Sequence, residues 1–458
     1  MAPVTTNGHL SAKRLGRRIV ILGGGFGGVY TALNLEKQFL GDEGVEITLV
    51  SRDNYFLITP LLFEAGSGVL EPRHAVSPVR MMFKKTRFIE ADVERIDCDA
   101  HMVYARHSPD DYHYEIEYDH LVLALGGVTN RRLVPGSESA IGFKTLADAI
   151  YLRNRIIDLF EQADVEEDLD RRRQLLTIVI VGGGLVGVEL MGELTEFVHN
   201  TLRSYPRIQR EMIRFVLVEA HPRIMPEMEE ELANYAAEVL RGRGVEIVTG
   251  VRVKSIEPGK VILPEGAIRG TTVINAETVI LAAGLTANPL LADLPLEKAK
   301  NGRVVVEGTM RSRQRPEVWA LGDCAAIPDK NGNPYPPLAQ HALREAKTLA
   351  RNIASVLREG DKATLKPFVY QTMGMLASLG SYRGVGRIGK IKIRGFLAWW
   401  VWRTYYLLQM PRWERRFRLV LDWTVALFFR NDVVKLDLQT VAKEASRDLE
   451  LHGLQRIG

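Results

Sequence analysis

Arg18-Ile19-Val20-Ile21-Leu22 is a short, almost unbroken apolar run, the pattern of a strand buried on both faces. Three glycines follow, Gly23, Gly25 and Gly28. Behind them the spacing turns helical and predicts a helix over 27–39 that buries Tyr30, Leu33 and Leu35. The same succession returns later. Ile178–Val181 is again wholly apolar, and Gly182, Gly184 and Gly187 repeat the glycine spacing before VEL. Two further apolar runs, LVLALGG (121–127) and VILAAGLTANP (279–289), end in glycine-containing turns. A third, Val318–Leu321, ends at Gly322-Asp323, and a helix is expected from about Pro337 to Leu357. The charged stretch 145–175, ending in DLDRRRQ, reads as helical and as a linker. Strands alternating with helices predict an α/β fold with two Rossmann-like dinucleotide-binding domains.

Each glycine has a physical job in such a turn. The first permits the tight turn, the second lets the backbone approach a pyrophosphate, and the third lets helix and strand pack closely. The amides and dipole of the following helix favour a phosphate. One turn of this kind is a weak signal, whereas two in one chain point to two dinucleotide sites. The units differ at the end of their second strand, where Ser51 aligns with Glu219. An acid at that place accepts hydrogen bonds from a ribose diol and repels a 2′-phosphate. Glu219 therefore reads as an NADH determinant, the other reading being a solvated strand-end carboxylate. In the first unit Ser51 makes ribose recognition weaker or different, and Arg52 is placed to reach a phosphate or the adenine.

Composition narrows the picture. The chain has 458 residues and is 46% apolar, enough for two or three domains. A formal net charge of +4 singles out no partner, and nothing indicates nucleic acid. Its two cysteines, Cys98 and Cys324, are far apart and form no CxxC. That speaks against a disulfide framework, a zinc site and a dithiol relay, and no metal site is expected. Residues 1–16 are polar, without the apolar core of a secretory signal, and read as a flexible arm; a transit peptide is the other reading. No apolar run is long enough to span a bilayer. Charge is uneven, however. From Arg383 to Arg430 eleven Lys or Arg face two acids, Glu414 and Asp422, and five of the six tryptophans lie there. Trp413, Phe417, Leu421 and Phe428 fall near one helical face, with Arg415, Arg418 and Asp422 on another. This is an amphipathic helix with interfacial tryptophans and a basic flank, an anchor to an anionic membrane surface. A dimerisation helix is the alternative, and both roles can coexist.

Taken together, VILGGGFGG, NYFLITPLLFEAGSG (54–68), LALGG, VGGGLVGVELMGEL (181–194), LGDCA (321–325), PLAQHALREA (337–346), GMLASLG (374–380) and the tryptophan-rich tail resemble the two-dinucleotide-domain flavoproteins. In detail, residues 17–430 resemble the type II NADH dehydrogenases, the single-chain NADH:quinone oxidoreductases of respiratory membranes. The resemblance implies non-covalent FAD held by Gly23, Gly25, Gly28, Ser51, Arg52, Gly126, Asp323 and Ala339. Asp323 would bind the ribityl chain, unless it merely forms a turn. NADH, as substrate, would lie on Gly182, Gly184, Gly187, Glu219 and Gly284. Glu193 would place NADH or handle protons, its bland alternative being an exposed helix glutamate. Gln340, on the helix that borders the quinone side in this family, would donate to a quinone carbonyl. His341, Arg344, Met375, Leu376 and Leu379 would complete the quinone pocket, with His341 either a proton donor or a packed side chain. Arg344 stands where the family often has a second glutamine.

The implied domains are an arm (1–16), a split FAD domain (17–145 and 290–390), an NADH domain (146–289), membrane-anchoring amphipathic helices (391–445) and a tail (446–458). The implied activity is two-electron transfer from NADH through flavin to a membrane quinone without proton pumping. The implied setting is the respiratory electron-transport chain, with a homodimer lying peripherally on the cytoplasmic face of a bacterial cell membrane. Removal of the chain beyond about residue 390 is expected to leave FAD binding and NADH oxidation intact. A sulfide:quinone oxidoreductase or a non-respiratory FAD/NAD redox-signalling protein are the competing readings. The first of these needs redox-active cysteines that two isolated ones do not supply.

Overall fold

The computed structural model describes residues 7–10, 17–268, 270–372, 374–429 and 432–435. Arg17–Leu22 is the middle strand of a five-stranded parallel sheet ordered Val318–Ala320, His120–Leu123, Arg17–Leu22, Val45–Ser51, Arg87–Glu90. Ile19, Ile21 and Leu22 are wholly buried. One face of the sheet is covered by the helices Phe26–Gln38 and Ala339–Glu359, the other by the antiparallel strands Asp92–Asp97, Met102–His107 and Tyr112–Glu117. The second glycine unit builds a matching parallel sheet, ordered Ile141–Gly142, Thr278–Leu281, Thr177–Val181, Arg214–Glu219, Val245–Thr249.

The two sheets exchange their outer strands. Ile141–Gly142 joins the second sheet before that domain's glycine turn, and Val318–Ala320 joins the first sheet after the chain has returned. The outgoing and returning connections pair as an antiparallel ribbon, Gly127–Thr129 with Leu285–Ala287. Val318–Ala320 thus returns to the first sheet beyond the residues that build the second, and Ile141–Gly142, expected within the first domain (17–145), belongs to the second sheet.

Steric demand explains the glycine spacing. Gly23 has φ 112°, and a Cβ there would lie 2.3 Å from the Ala124 carbonyl oxygen. A Cβ on Gly28 would lie 1.9 Å from the carbonyl oxygen of Gly23. The third glycine therefore serves the turn itself, and Gly187 stands to Gly182 in the same way.

Several expectations change. The helix after the first turn runs Phe26–Gln38, with Leu35 buried and Tyr30 and Leu33 half-buried. The helix expected from Pro337 begins at Ala339 and ends at Glu359. The stretch 145–175 is no linker. It forms helix Leu146–Val165, started by a Thr145/Asp148 capping box, and helix Leu169–Leu175. The first buries Leu152, Ile156 and Phe160 in the second domain's core, so its apolar stripe outweighs its charges. Within the arm expected to be flexible, Asn7–Leu10 is a strand pairing in parallel with Tyr112–Glu117, whose open edge it covers. The remainder of residues 1–16 lies outside the described residues, as does the tail 446–458.

The expected boundary at 390/391 cuts through a sheet. Gly374–Ser378, Gly384–Ile388 and Ile391–Arg394 form one antiparallel unit. Two helices follow, Phe396–Gln409 and Trp413–Phe428. Neither they nor any other described helix is long and apolar enough to cross a membrane. They have two faces. Trp413, Phe417, Leu421 and Phe428 are exposed, as the spacing predicts, together with Trp400 and Leu397. Trp399, Trp402, Met410 and Leu419 instead point inward and are buried. Asp422, expected on a polar outer face, accepts from the Glu71 amide and lies 2.6 Å from the His74 ring.

Candidate functional site

The first glycine turn opens into a cavity of about 1640 Å³. At one end lie Gly23, Gly25, Ser51, Arg52 and Asp53; at its middle lie Gly126, Lys144 and Asp323. Beyond Ala339 and Gln340 it continues between Met375, Leu376, Ile388 and the first tail helix, where Val401, Tyr405 and Gln409 form its wall. Leu185, Val186 and Leu285 bring the second domain to its edge.

The residues at the first turn fit FAD. A Cβ on Gly25 would meet nothing within 4 Å, so open space lies beside that residue at the helix N-terminus, where a pyrophosphate is favoured. Asp323 sits in the short helical turn Gly322–Cys324, pinned because the Gly322 amide donates to the buried Glu345 carboxylate at 2.8 Å. Burial pushes the Glu345 pKa up to about 7. The Asp323 carboxylate is 3.3 Å from Lys144 Nζ, a cavity-lining cation that sequence reasoning missed.

At the second turn Glu219 is buried, and its two oxygens accept from the backbone amides of Gly183 (2.5 Å) and His221 (2.7 Å). The bland reading of a solvated carboxylate is therefore set aside. Gly182, Gly184 and Gly187 form this turn beside the large cavity rather than in it, and Gly284 lies between strand Thr278–Leu281 and the ribbon strand Leu285–Ala287, directly before the latter.

Of the residues expected to handle protons or to hold the quinone, three lie away from the cavity. His341 is buried, with its two ring nitrogens engaged by the Pro336 carbonyl and the Thr372 hydroxyl, and burial lowers its pKa. It takes the packed alternative. Leu379, the residue after strand Gly374–Ser378, is wholly buried in the second domain's core, and its backbone lies close against Gly192. Glu193 is neither exposed nor in the cavity wall. It lies one turn behind, accepting from the hydroxyls of Ser67 and Ser378 at 3.3 Å each, and burial among Glu64 and Glu196 raises its pKa.

The carboxylate that does face the cavity is Glu189. One oxygen accepts from the Ser378 amide (2.9 Å) and from Trp402 Nε1 (3.0 Å). Burial pushes its pKa up to about 8, with Glu193 adding to the rise. Behind it, Glu64 is fully buried and paired with Arg403 at 2.8 Å, and Trp423 Nε1 donates to its other oxygen at 2.6 Å. The Arg403 guanidinium also lies over the Trp399 and Trp423 rings. Sequence reasoning missed this network. Its one local signal was three acids, Glu189, Glu193 and Glu196, along an otherwise apolar helix.

Gln340 is held from both ends: Tyr370 donates to Oε1 at 3.3 Å, and Nε2 donates to the Gly374 carbonyl at 3.3 Å. One amide hydrogen remains to point elsewhere. Both cysteines are buried and unpaired, Cys324 with its pKa raised to about 12 by burial, so the chain has no dithiol for disulfide chemistry. No cluster of metal-binding side chains occurs among the described residues.

Residues 17–346 match the family model described as pyridine nucleotide-disulphide oxidoreductase, and residues 373–432 match that of the NDH2 C-terminal domain. The chain is 30% identical over 439 residues to the type II NADH:quinone oxidoreductase Ndh of Mycobacterium tuberculosis, across 93% of this chain and 92% of that relative. Its fold is like that of NDH2 from Plasmodium falciparum solved in complex with NADH, with TM-score 0.84 at 20% identity over 92% of this chain and 100% of that one. The fold likeness to the sulfide:quinone oxidoreductase of Aquifex aeolicus is lower, with TM-score 0.65 at 20% identity over 91% and 96% of the two chains. Two glycine-turn domains around one FAD-shaped cavity, the matched C-terminal domain and full-length similarity lead to one conclusion: the chain belongs to the type II NADH:quinone oxidoreductases, FAD enzymes that use NADH.

Proposed function

We propose that this protein oxidises NADH at the edge of its second domain and passes both electrons, through FAD, to a quinone that enters from a membrane surface. The observation that carries the reading is the continuity of the cavity. It is lined by the first glycine turn, by Gln340 and by Val401, Tyr405 and Gln409 of the tail helix Phe396–Gln409, a helix that also carries the exposed Trp400. A prenylated ring could leave the bilayer along Val401, Tyr405 and Ile388 and reach the FAD seat without crossing water.

FAD, when bound, accepts the hydride equivalent and releases two electrons, while the protein supplies orientation and exclusion of water. The balance is NADH, one proton and quinone giving NAD⁺ and quinol. Glu219 receives the adenosine ribose and disfavours a 2′-phosphate. Gln340, fixed by Tyr370 and Gly374, points its free amide hydrogen at a quinone carbonyl. Glu189, protonated near neutral pH, supplies a proton at the cavity wall, and Ser378 and Glu193 stand behind it as a reserve. In this reading the reaction takes place on one side of the membrane, without pumping. A peripheral homodimer on the cytoplasmic face of a bacterial membrane completes the reading.

The test is steady-state NADH oxidation by the FAD-loaded protein with and without a short-chain quinone. Quinone-dependent turnover with quinol as product is expected. A protein that binds both cofactors yet ignores quinones would belong with the signalling alternative.

A further inference from the structure

Arg344 lines the acceptor half of the cavity one helical turn after Gln340, and the function proposed above makes no use of it. Its Nη1 donates to the Gln340 carbonyl oxygen at 2.8 Å, and its guanidinium lies over the Tyr370 ring, 4.5 Å from the centroid. Tyr370 in turn donates to the Gln340 amide oxygen, so the three side chains hold one another in place. Arg387, the other cation lining the wall near Met375 and Leu376, pairs with Glu229 at 2.7 Å, and Lys144 pairs with Asp323 at 3.3 Å; Arg131 and Lys298, elsewhere in the wall, donate to backbone carbonyls. Among the described residues Arg344 makes no ion pair, and only a backbone carbonyl and an aromatic face meet it.

A half-buried guanidinium has lost part of its hydration and is best complemented by an anionic oxygen. The surroundings constrain what carries that oxygen. Met375, Leu376 and Tyr405 make this end apolar and suited to a flat ring, while the Arg344 fork is held over the Tyr370 ring. We propose that Arg344 makes the acceptor end of the cavity selective for a quinone ring that bears a negatively charged oxygen, that is, an ionised hydroxyquinone. The inference rests on the quinone reading above. Neutral quinones share the apolar wall and Gln340 but gain nothing from the charge.

Two compounds of one ring system separate these contributions. 2-Hydroxy-1,4-naphthoquinone is an anion near neutral pH, and its 2-methoxy analogue cannot ionise. Dissociation constants for both are measured on the FAD-loaded enzyme by flavin absorbance, together with their reduction by NADH. The wild type is expected to bind the hydroxy compound at least about tenfold more tightly, equivalent to about 1.4 kcal/mol. Arg344→Gln should bring the ratio close to one by weakening the anion, and Arg344→Lys, which keeps charge but loses the fork, should fall between. Bound FAD and a folded thermal transition qualify each variant, with Arg344→Met as substitute if the glutamine variant does not fold. A wild type without preference for the anion, or a ratio that survives loss of the charge, overturns the assignment. If the methoxy compound binds and is reduced while the ratio is unmoved, only Arg344 loses its role. If neither compound binds or is reduced, the quinone reading itself is lost.

Discussion

Glu189 accepts two hydrogen bonds and is nevertheless more basic than an ordinary carboxylate, because desolvation outweighs what the Ser378 amide and Trp402 indole return. Its folded pKa, pushed up to about 8, lies above the ordinary value of 4.5. The fold therefore favours the protonated form, and the associated stability is complete below about pH 4.5 and is lost as pH rises through about 8. Glu189→Gln keeps an acceptor without the ionisation. Thermal melts between pH 6 and 9 should show the wild type losing Tm and the variant losing less. Quinone-dependent reoxidation of the flavin should slow about 10²-fold in the variant and lose its alkaline decline near pH 8, while flavin reduction by NADH changes little. Equal slowing of both half-reactions would make Glu189 a structural residue. Glu219 makes a second prediction at this scale. Glu219→Gln removes the charge opposed to a 2′-phosphate but keeps an acceptor for the Gly183 or His221 amide. The ratio of kcat/KM for NADH over NADPH should fall about tenfold. A wild type that already prefers NADPH would refute the assignment.

Among the elements, the tail helices depart furthest from what their sequence suggests. Their spacing marks an amphipathic pair, and the outer face bears this out, but the inner face is part of the core. Trp402 closes the Glu189 pocket, and Arg403 with Trp423 neutralises and binds a carboxylate that has no exposure. Arg403→Met should destabilise the fold by about 3–5 kcal/mol, because Glu64 is left charged in a buried place. A chain ending near residue 390 loses Trp402 as well, and losing one buried tryptophan costs about 3–5 kcal/mol. Such a chain should lose FAD and its cooperative melt, contrary to the expectation that a tail acting only as an anchor would be dispensable. A truncated protein that retains FAD and melts near the wild-type Tm would show the inner face to be energetically idle.

For the whole molecule, the exposed Trp400, Trp413, Phe417 and Phe428 lie in the basic segment, whose helix Phe396–Gln409 also lines the cavity. Between residues 383 and 430 the net charge is +9, and each Lys or Arg near an anionic leaflet adds about 1 kcal/mol. Some of this is spent internally, since Lys392 pairs with Glu231 and Arg387 with Glu229. Flotation with vesicles containing anionic lipid should carry the full-length protein upward. High salt should weaken the association without abolishing it, because apolar burial is not screened. Trp413→Ser together with Phe417→Ser, both on the outer face, should reduce flotation while bound FAD and Tm hold. Full-length protein that stays with the soluble fraction under every condition would leave this face to a dimer.

The sequence by itself determined those features whose causes are local. Short apolar runs that end in glycine turns read as buried strands, and the glycine spacing follows from clashes within a few residues of the turn, such as Gly28 against Gly23. The strand-end Glu219 and the Gly322-Asp323 turn were legible for the same reason. The acid network was not, because its members lie far apart in the chain. Glu189 reads like any helix glutamate until the fold brings Trp402 and Ser378 to it and removes its water. Glu193 sits one turn further along the same helix, and no periodicity says which of the two faces the cavity. His341 and Leu379 were displaced by packing: neighbours satisfied the histidine, and the second domain's core took in the leucine. Helical spacing gave the tail two faces. Only tertiary structure decided that one of them binds a buried carboxylate, because the desolvation that makes such a partner necessary exists only after the chain has folded.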